Sequence, residues 1–206
     1  MPDHRVLVHA WPDAAPLALA ALRGTQGLTV IRIATPNTEI RHAAREHVRT
    51  AVRQLLAALL QQAAETLPLL SQPGQALVLD LPGTPIGLSV SHAPGLSVAA
   101  VHRHGAVGVD VMHIAEGADW MPDWEAVARD YLGAQAQARI HQVTPDQRAG
   151  AFAREWTALE ARLKYLGMGL TEWTPATALR ISQCTVTGLE LPAGFCGALA
   201  VPCVRR

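Results

Sequence analysis

Between Asn37 and Leu67 the apolar positions follow a helical period. In TEIRHAAREHVRTAVRQLLAALLQQAAETL, Val48, Val52, Leu55, Leu56, Leu59 and Leu60 line one face of a long amphipathic helix. Arg41, Arg45, Arg49 and Arg53 form a separate row at intervals of four. That row is either a solvated basic face or a surface that meets phosphate. Before this helix, VLVHAW and LTVIRIA read as short strands flanking an alanine-rich run compatible with helix.

After it the period shortens. QALVLDL is β-like, a Pro-Gly turn follows at residues 82 and 83, and GLSVSHAPGLSVAAVHRHGAVGVDVMHI reads as three runs joined by turns at Ala93-Pro94-Gly95 and His104-Gly105. The expectation is an antiparallel meander. PDWEAVARDYLG and AQAQARIHQV are helix candidates. A stronger helix opens at Thr144, with Pro145 at its first position and Gln147 completing a capping box, and runs to about Leu166 before Gly167. From Leu179 onward, LRISQ, CTVTGLEL and GALAVPCV alternate with Gly and Pro turns and read as strands. AREHVRTAVR at 44–53 lines up with AREWTALEAR at 153–162, a faint repeat that hints at two similar α+β halves. The expected division is 1–103 and 104–206, two halves of one intimate unit.

Composition narrows the function classes. The chain has 206 residues, half of them apolar, enough for a real core. Lys plus Arg equals Asp plus Glu at 17 each, so nothing marks a general binder of nucleic acid or membrane surface. An anionic ligand must be met by a local cluster. The three cysteines, Cys184, Cys196 and Cys203, have no C-x-x-C spacing and read as buried reduced thiols. The apolar run APLALAALRG has Asp13 and Pro16 at its start and no cationic lead, so a cytoplasmic protein without a signal peptide is expected. No stretch approaches the roughly 20 apolar residues of a membrane span.

The stretch WTALEARLKYLGMGL carries the candidate chemistry. Phe152, Trp156, Glu160 and Lys164 recur at intervals of four and share one helical stripe. Phe152 and Trp156 are expected to be buried, which brings Glu160 and Lys164 to the edge of a cleft or leaves them an ordinary Glu-to-Lys surface pair. Asp110 stands alone in the apolar run AVGVDVMHI, where alternation puts it on the face opposite Val109 and Val111. A carboxylate there needs a hydrogen-bonding partner or a cation, and Asp110 with Glu160 offers two hard oxygen ligands to a divalent ion. Ser91 and His92 lie where a strand gives way to a turn, a position suited to an anionic ligand. The G-x-S-x-G elbow, H-E-x-x-H, the Walker lysine loop and the dinucleotide glycine fingerprint are all absent.

Taken in order, SHAPG, GAVGVDV and WTALEARLKYLGMGL resemble the surfactin-type branch of the 4'-phosphopantetheinyl transferase superfamily, whose motifs are a Ser-His pair, a G-I/V-D-I/V-E strand and a W-x-x-K-E-A-x-x-K-x-x-G-x-G-L helix. The resemblance implies an α+β fold of two similar halves in pseudo-twofold arrangement, each with a small antiparallel sheet and a long helix. It implies transfer of the phosphopantetheine arm of coenzyme A to a serine of an acyl- or peptidyl-carrier protein, with Mg²⁺ and release of 3',5'-ADP. Carriers of fatty-acid, polyketide or nonribosomal peptide synthesis are the implied partners, and the internal repeat favours a monomer.

By the same resemblance Asp110 and Glu160 hold the metal, Glu160 acts as base, and Lys164 meets the diphosphate and protonates the leaving phosphate. Ser91 and His92 contact coenzyme A, with Arg41 and Arg45 as further candidates for its phosphates. Three positions depart from the pattern. Met112 replaces the closing Glu of the strand motif. Leu159 replaces the lysine before Glu160, with Arg162 a candidate substitute, and Thr84 stands where a Gly-Lys-Pro turn is usual. A catalytically weakened relative that binds coenzyme A or carriers without efficient transfer is the alternative.

Overall fold

In the computed structural model of the protein, the described residues are 5–37, 41–70, 76–114 and 120–203. Strand β1 (His9–Trp11) leads into helix α1 (Ala15–Arg23) and strand β2 (Leu28–Ala34), and the long helix α2 spans Arg41–Leu60. Two short strands, β3 (Leu69–Leu70) and β4 (Val78–Leu79), precede β5 (Gly87–Ala93), β6 (Leu96–His102) and β7 (Gly108–His113). Helix α3 (Trp124–Val127) continues into a π-helical turn at Ala128–Leu132 and is followed by α4 (Ala134–His141), α5 (Arg148–Tyr165) and α6 (Pro175–Ile181). The chain ends in β8 (Cys184–Gly188) and β9 (Phe195–Pro202).

A four-stranded sheet runs in the order β1-β2-β6-β5, and a three-stranded sheet in the order β7-β9-β8. All ladders in the two are antiparallel except β1 with β2. The apolar stripe of α2, including Val48, Val52, Leu55 and Leu56, packs with Leu22 of α1 on Ile31, Leu88, Ala99 and Val101 of the first sheet. That sheet's other face, through Val30, Val98 and Ala100, meets Val109, Val111 and Leu199 of the second. Helix α5 covers the far side of the second sheet, with Ala161 against Ala198 and Ala200. Each sheet thus carries one long helix, and the layers are helices, sheet, sheet, helix. Strand β6, apolar in five of its seven residues, is buried along its whole length because both of its faces are covered.

Three expectations are corrected. Strand β7 does not extend a meander: β6 pairs with β2 and β5, whereas β7 pairs with β9. The Pro94-Gly95 turn, with Gly95 at φ 82°, reverses the chain as expected. The turn after β6 also reverses direction, but it delivers β7 to a different sheet. LRISQ is largely helical. Thr174 accepts a hydrogen bond from the Thr177 amide and Pro175 occupies the first turn, so α6 begins upstream and runs into this stretch. Thr144 precedes a short 3₁₀ turn, Pro145–Gln147, and its side chain makes no capping bond, so the capping box does not form.

The end of α5 follows expectation. Gly167 adopts φ 64°, its amide donates to the Lys164 carbonyl, and the Met168 amide donates to the Leu163 carbonyl. This is a Schellman termination. At its other contact, α5 touches β7 where a side chain is missing. A Cβ on Gly108 would lie inside the carbonyl oxygen of Ala161 and against the Tyr165 amide, both backbone groups that cannot turn aside. Gly108→Ala is therefore expected to lower unfolding stability by about 3 kcal/mol or more. Gly169→Ala, where nothing lies within 4 Å, should stay within about 0.5 kcal/mol of wild type. Denaturant unfolding of both variants checks this, and equal stabilities would refute the close contact.

Candidate active site

The first sheet ends at β5 and the second at β7, and no backbone ladder joins these two edges. Side chains join them instead. Ser89 and Ser91 alternate with Leu88 and Val90, so both hydroxyls leave β5 on the side opposite its α2-facing core. The Val109 amide donates to Ser89 Oγ at 3.0 Å, and Ser91 Oγ donates to Asp110 Oδ1 at 2.7 Å. From α5, Lys164 Nζ donates to the same Oδ1 at 2.7 Å and to the carbonyls of Val109 at 3.1 Å and Val90 at 3.4 Å. One ammonium therefore fastens both edge strands and the carboxylate between them.

Asp110 lies on the α5-facing side of β7, as alternation predicts, because Val109 and Val111 fill the core between the sheets. Its side chain is 10% exposed and that of Lys164 is 29% exposed. A pair this sheltered is screened less by solvent than a surface ion pair. Glu160, one turn before Lys164, is half-buried. Its carboxyl is held above the ordinary glutamate value by burial first and by the charge of Asp110 second, against the opposing pull of Lys164.

These residues line a cleft of about 580 Å³ together with His92, Pro94, Met112, His113 and Trp156. Phe152 is buried and stacks on Trp156, which is half-buried and forms part of the cleft wall. His92 bonds through Nδ1 to Ser97 Oγ at 2.8 Å, and Ser97 bonds in turn to Thr35, so the imidazole is anchored from below. The structure thus brings together Ser91, His92, Asp110, Glu160 and Lys164.

Of the arginine row, Arg45, Arg49 and Arg53 are not part of this constellation. Arg45 is exposed on α2 and is not among the lining residues, and the side chain of Arg41 lies outside the described residues. Arg49 donates to the Leu69 carbonyl. Thr84 is likewise outside the cleft lining. Leu159, 4% exposed, faces a separate cavity of about 560 Å³ lined also by Arg162, Trp173 and Ile181. Its departure from the motif therefore takes no cation from the Asp110 cleft, and Arg162 does not substitute there. The cysteines are free, with Cys184 buried, Cys196 partly buried and Cys203 exposed, so burial holds only in part.

Two acids and one ammonium in a partly dehydrated cleft leave an excess of negative charge. Among the described residues no group of three or more His, Cys, Asp or Glu side chains gathers to form a metal cage. The pair Asp110 and Glu160 still fits Mg²⁺, which commonly takes one or two carboxylates and completes its shell with water and substrate phosphate. The coulombic pressure of Asp110 on Glu160 is what a cation between them would relieve.

The raised Glu160 carboxyl has a consequence for stability. Above the ordinary value of 4.5 the folded protein retains a proton that the unfolded chain has already released, so stability falls as pH rises through that window. Glu160→Gln removes the ionisation. In metal-free buffer its melting temperature is expected to exceed that of wild type at neutral pH, with the gap closing as pH falls toward 4.5. A lower melting temperature at neutral pH would show that the carboxylate is stabilising.

Comparison with known proteins bears on this geometry. The sequence profile of the 4'-phosphopantetheinyl transferase superfamily matches residues 106–198, the segment that holds Asp110, Glu160 and Lys164. The L-aminoadipate-semialdehyde dehydrogenase-phosphopantetheinyl transferase of Eremothecium gossypii is 36% identical over 83 residues, 40% of this chain and 30% of that protein. The 4'-phosphopantetheinyl transferase AcpT of Salmonella typhi is 27% identical over 138 residues, 65% of this chain and 70% of that protein. The chain thus matches under a third of the length of the first relative. The matched segment contributes β7 and α5 to the cleft, and the chain is similar there to members of the 4'-phosphopantetheinyl transferase superfamily.

Proposed function

We propose that the protein transfers the 4'-phosphopantetheine arm of coenzyme A to a serine hydroxyl of an apo acyl- or peptidyl-carrier protein. The observation that carries this reading is the convergence of Asp110, Glu160 and Lys164 in one cleft from two separate elements, β7 and α5. In the reaction the carrier serine oxygen bonds to the phosphorus next to the pantetheine arm, and that phosphorus separates from the oxygen bridging to the second phosphate. The products are holo-carrier and 3',5'-ADP.

Glu160 takes the serine proton. Burial favours its neutral form, so the ionised carboxylate is a stronger base than a solvated one, and it stands one helical turn from the charge of Lys164. Lys164 supplies fixed positive charge beside the phosphates, where negative charge shifts to the departing oxygen. Asp110 and Glu160 would hold Mg²⁺, which when bound supplies charge neutralisation for the diphosphate. His92, anchored through Ser97, presents its ring to the same ligand. The cleft draws residues from both halves, so coenzyme A lies between them, and a neighbouring hollow of about 470 Å³ shares Val90 and Lys164 with it. A long ligand therefore has room on both sides of the ammonium.

None of the described helices is long and apolar enough to cross a membrane. We take the enzyme to work as a cytoplasmic monomer on soluble carriers. The surfactin-type, two-half architecture is supported by the pair of sheets that each carry one long helix.

Intact mass spectrometry of apo carrier proteins incubated with the protein, coenzyme A and Mg²⁺ tests this reading. A gain of one phosphopantetheinyl arm that disappears with EDTA is expected. Glu160→Gln should reduce the rate by about 10² or more, and Asp110→Ala should shift the Mg²⁺ titration to higher concentration. No gain on any carrier despite coenzyme A binding would mean the protein is a binding relative. Undiminished turnover by Glu160→Gln would remove that residue as the base.

A further inference from the structure

The hydroxyl of Ser91 carries one proton, and that proton is already committed. Ser91 is 7% exposed and donates to Asp110 Oδ1 at 2.7 Å. Phosphate oxygens accept hydrogen bonds and do not donate them when ionised, so a phosphate reaching Ser91 would find a donor in use. To serve a phosphate, Ser91 would have to release Asp110. That release would leave Oδ1 with Lys164 as its one remaining donor among the described residues. Ser91 sits in the β5–β6 ladder opposite Val98, and Asp110 sits in the β7–β9 ladder opposite Ala198. Two residues earlier on the same face, Ser89 receives the Val109 amide and sets the offset of β5 against β7.

Lys164 reaches the same Oδ1 from the other side, with its remaining contacts on the carbonyls of Val90 and Val109. One carboxylate oxygen is thus held by two protein donors. The second oxygen, Oδ2, is the one left for a cation beside Glu160.

We propose that Ser91 is a positioning residue for Asp110 and not a contact of coenzyme A: by holding Oδ1 it turns Oδ2 toward the cation that Asp110 and Glu160 share. This rests on the metal-dependent reading of the site above. It assigns the serine of the SHAPG stretch to the support of a metal ligand and leaves contact with the substrate to His92. Partners that orient metal ligands typically contribute 10- to 100-fold to metal affinity.

The test uses the full chain and Mn²⁺ as a divalent probe, read by electron paramagnetic resonance without a carrier. Coenzyme A binding is measured separately in metal-free buffer. Ser91→Ala is expected to weaken Mn²⁺ binding by about 10-fold or more and to leave metal-free coenzyme A affinity unchanged, while Ser91→Thr, which keeps the hydroxyl, stays within about threefold of wild type. Should Ser91→Ala fail to fold, Ser91→Cys, with its weak donor, takes its place and should also lose Mn²⁺ affinity. Retained Mn²⁺ affinity in the alanine or cysteine variant overturns the proposal. So does a variant that loses metal-free coenzyme A affinity and keeps Mn²⁺. If wild type transfers the arm while Ser91→Ala binds Mn²⁺ normally, only the positioning role falls. If wild type neither transfers nor binds Mn²⁺, the functional reading falls with it.

Discussion

Helix α5 lies so close to β7 that Gly108 has no room for a side chain, and that contact sets the distance between the two elements carrying the acids. Asp110 is two residues along the strand from Gly108, while Glu160 precedes Ala161 and Lys164 precedes Tyr165, the two residues whose backbone Gly108 meets. A methyl group at this point would lift the helix off the strand. The Lys164 contact with Asp110, at 2.7 Å, would be the first to open, because hydrogen bonds weaken steeply with length and misalignment. Backbone packing therefore fixes the site geometry before any charge interaction contributes.

The second constraint is the join between the sheets. Edge strands β5 and β7 lie next to each other without a backbone ladder, so the polar groups on the facing edges need other partners. Serine hydroxyls and the Lys164 ammonium supply several of them. The same side chains hold Asp110, so the join and the cleft are one structure. An apolar seam would pack these edges more simply, yet it would leave Asp110 with no donor and its burial unfavourable. The polar seam makes a sheltered carboxylate affordable on the wall of the cleft.

How much of this was legible depended on whether the signal was local. The α2 stripe, the Pro94-Gly95 turn, the orientation of Asp110 and the stop at Gly167 all follow from period or turn chemistry within a few residues, and the structure agrees. The partner of β7 does not, because a turn states that the chain reverses and not which edge the next strand will join. LRISQ has β-favouring residues, but the Thr174-Pro175 start signal upstream is the stronger one and makes the stretch largely helical. Adjacency in the sequence pairs Leu159 with Glu160. Adjacent helical residues are about 100° apart, and Leu159 accordingly faces another cavity. The S-x-S alternation sends Ser89 and Ser91 to one face of β5, where the structure bonds them to β7.

Met112 shows how the cleft accommodates a departure from the motif. A carboxylate there would have been a third acid in a site that already has an excess of negative charge. Methionine instead leans on the cluster of Trp120, Trp124 and Phe152 that joins the α3–α4 excursion to α5. Trp156 belongs to the same cluster and to the cleft wall. The thioether is a soft, poor ligand for a hard cation, and as an apolar side chain it fills this wall and supports the indole. With only Asp110 and Glu160 as acids, a cation held there would depend on water and on a phosphate-bearing ligand for the rest of its shell, and under the proposed function it would bind most firmly with that ligand present.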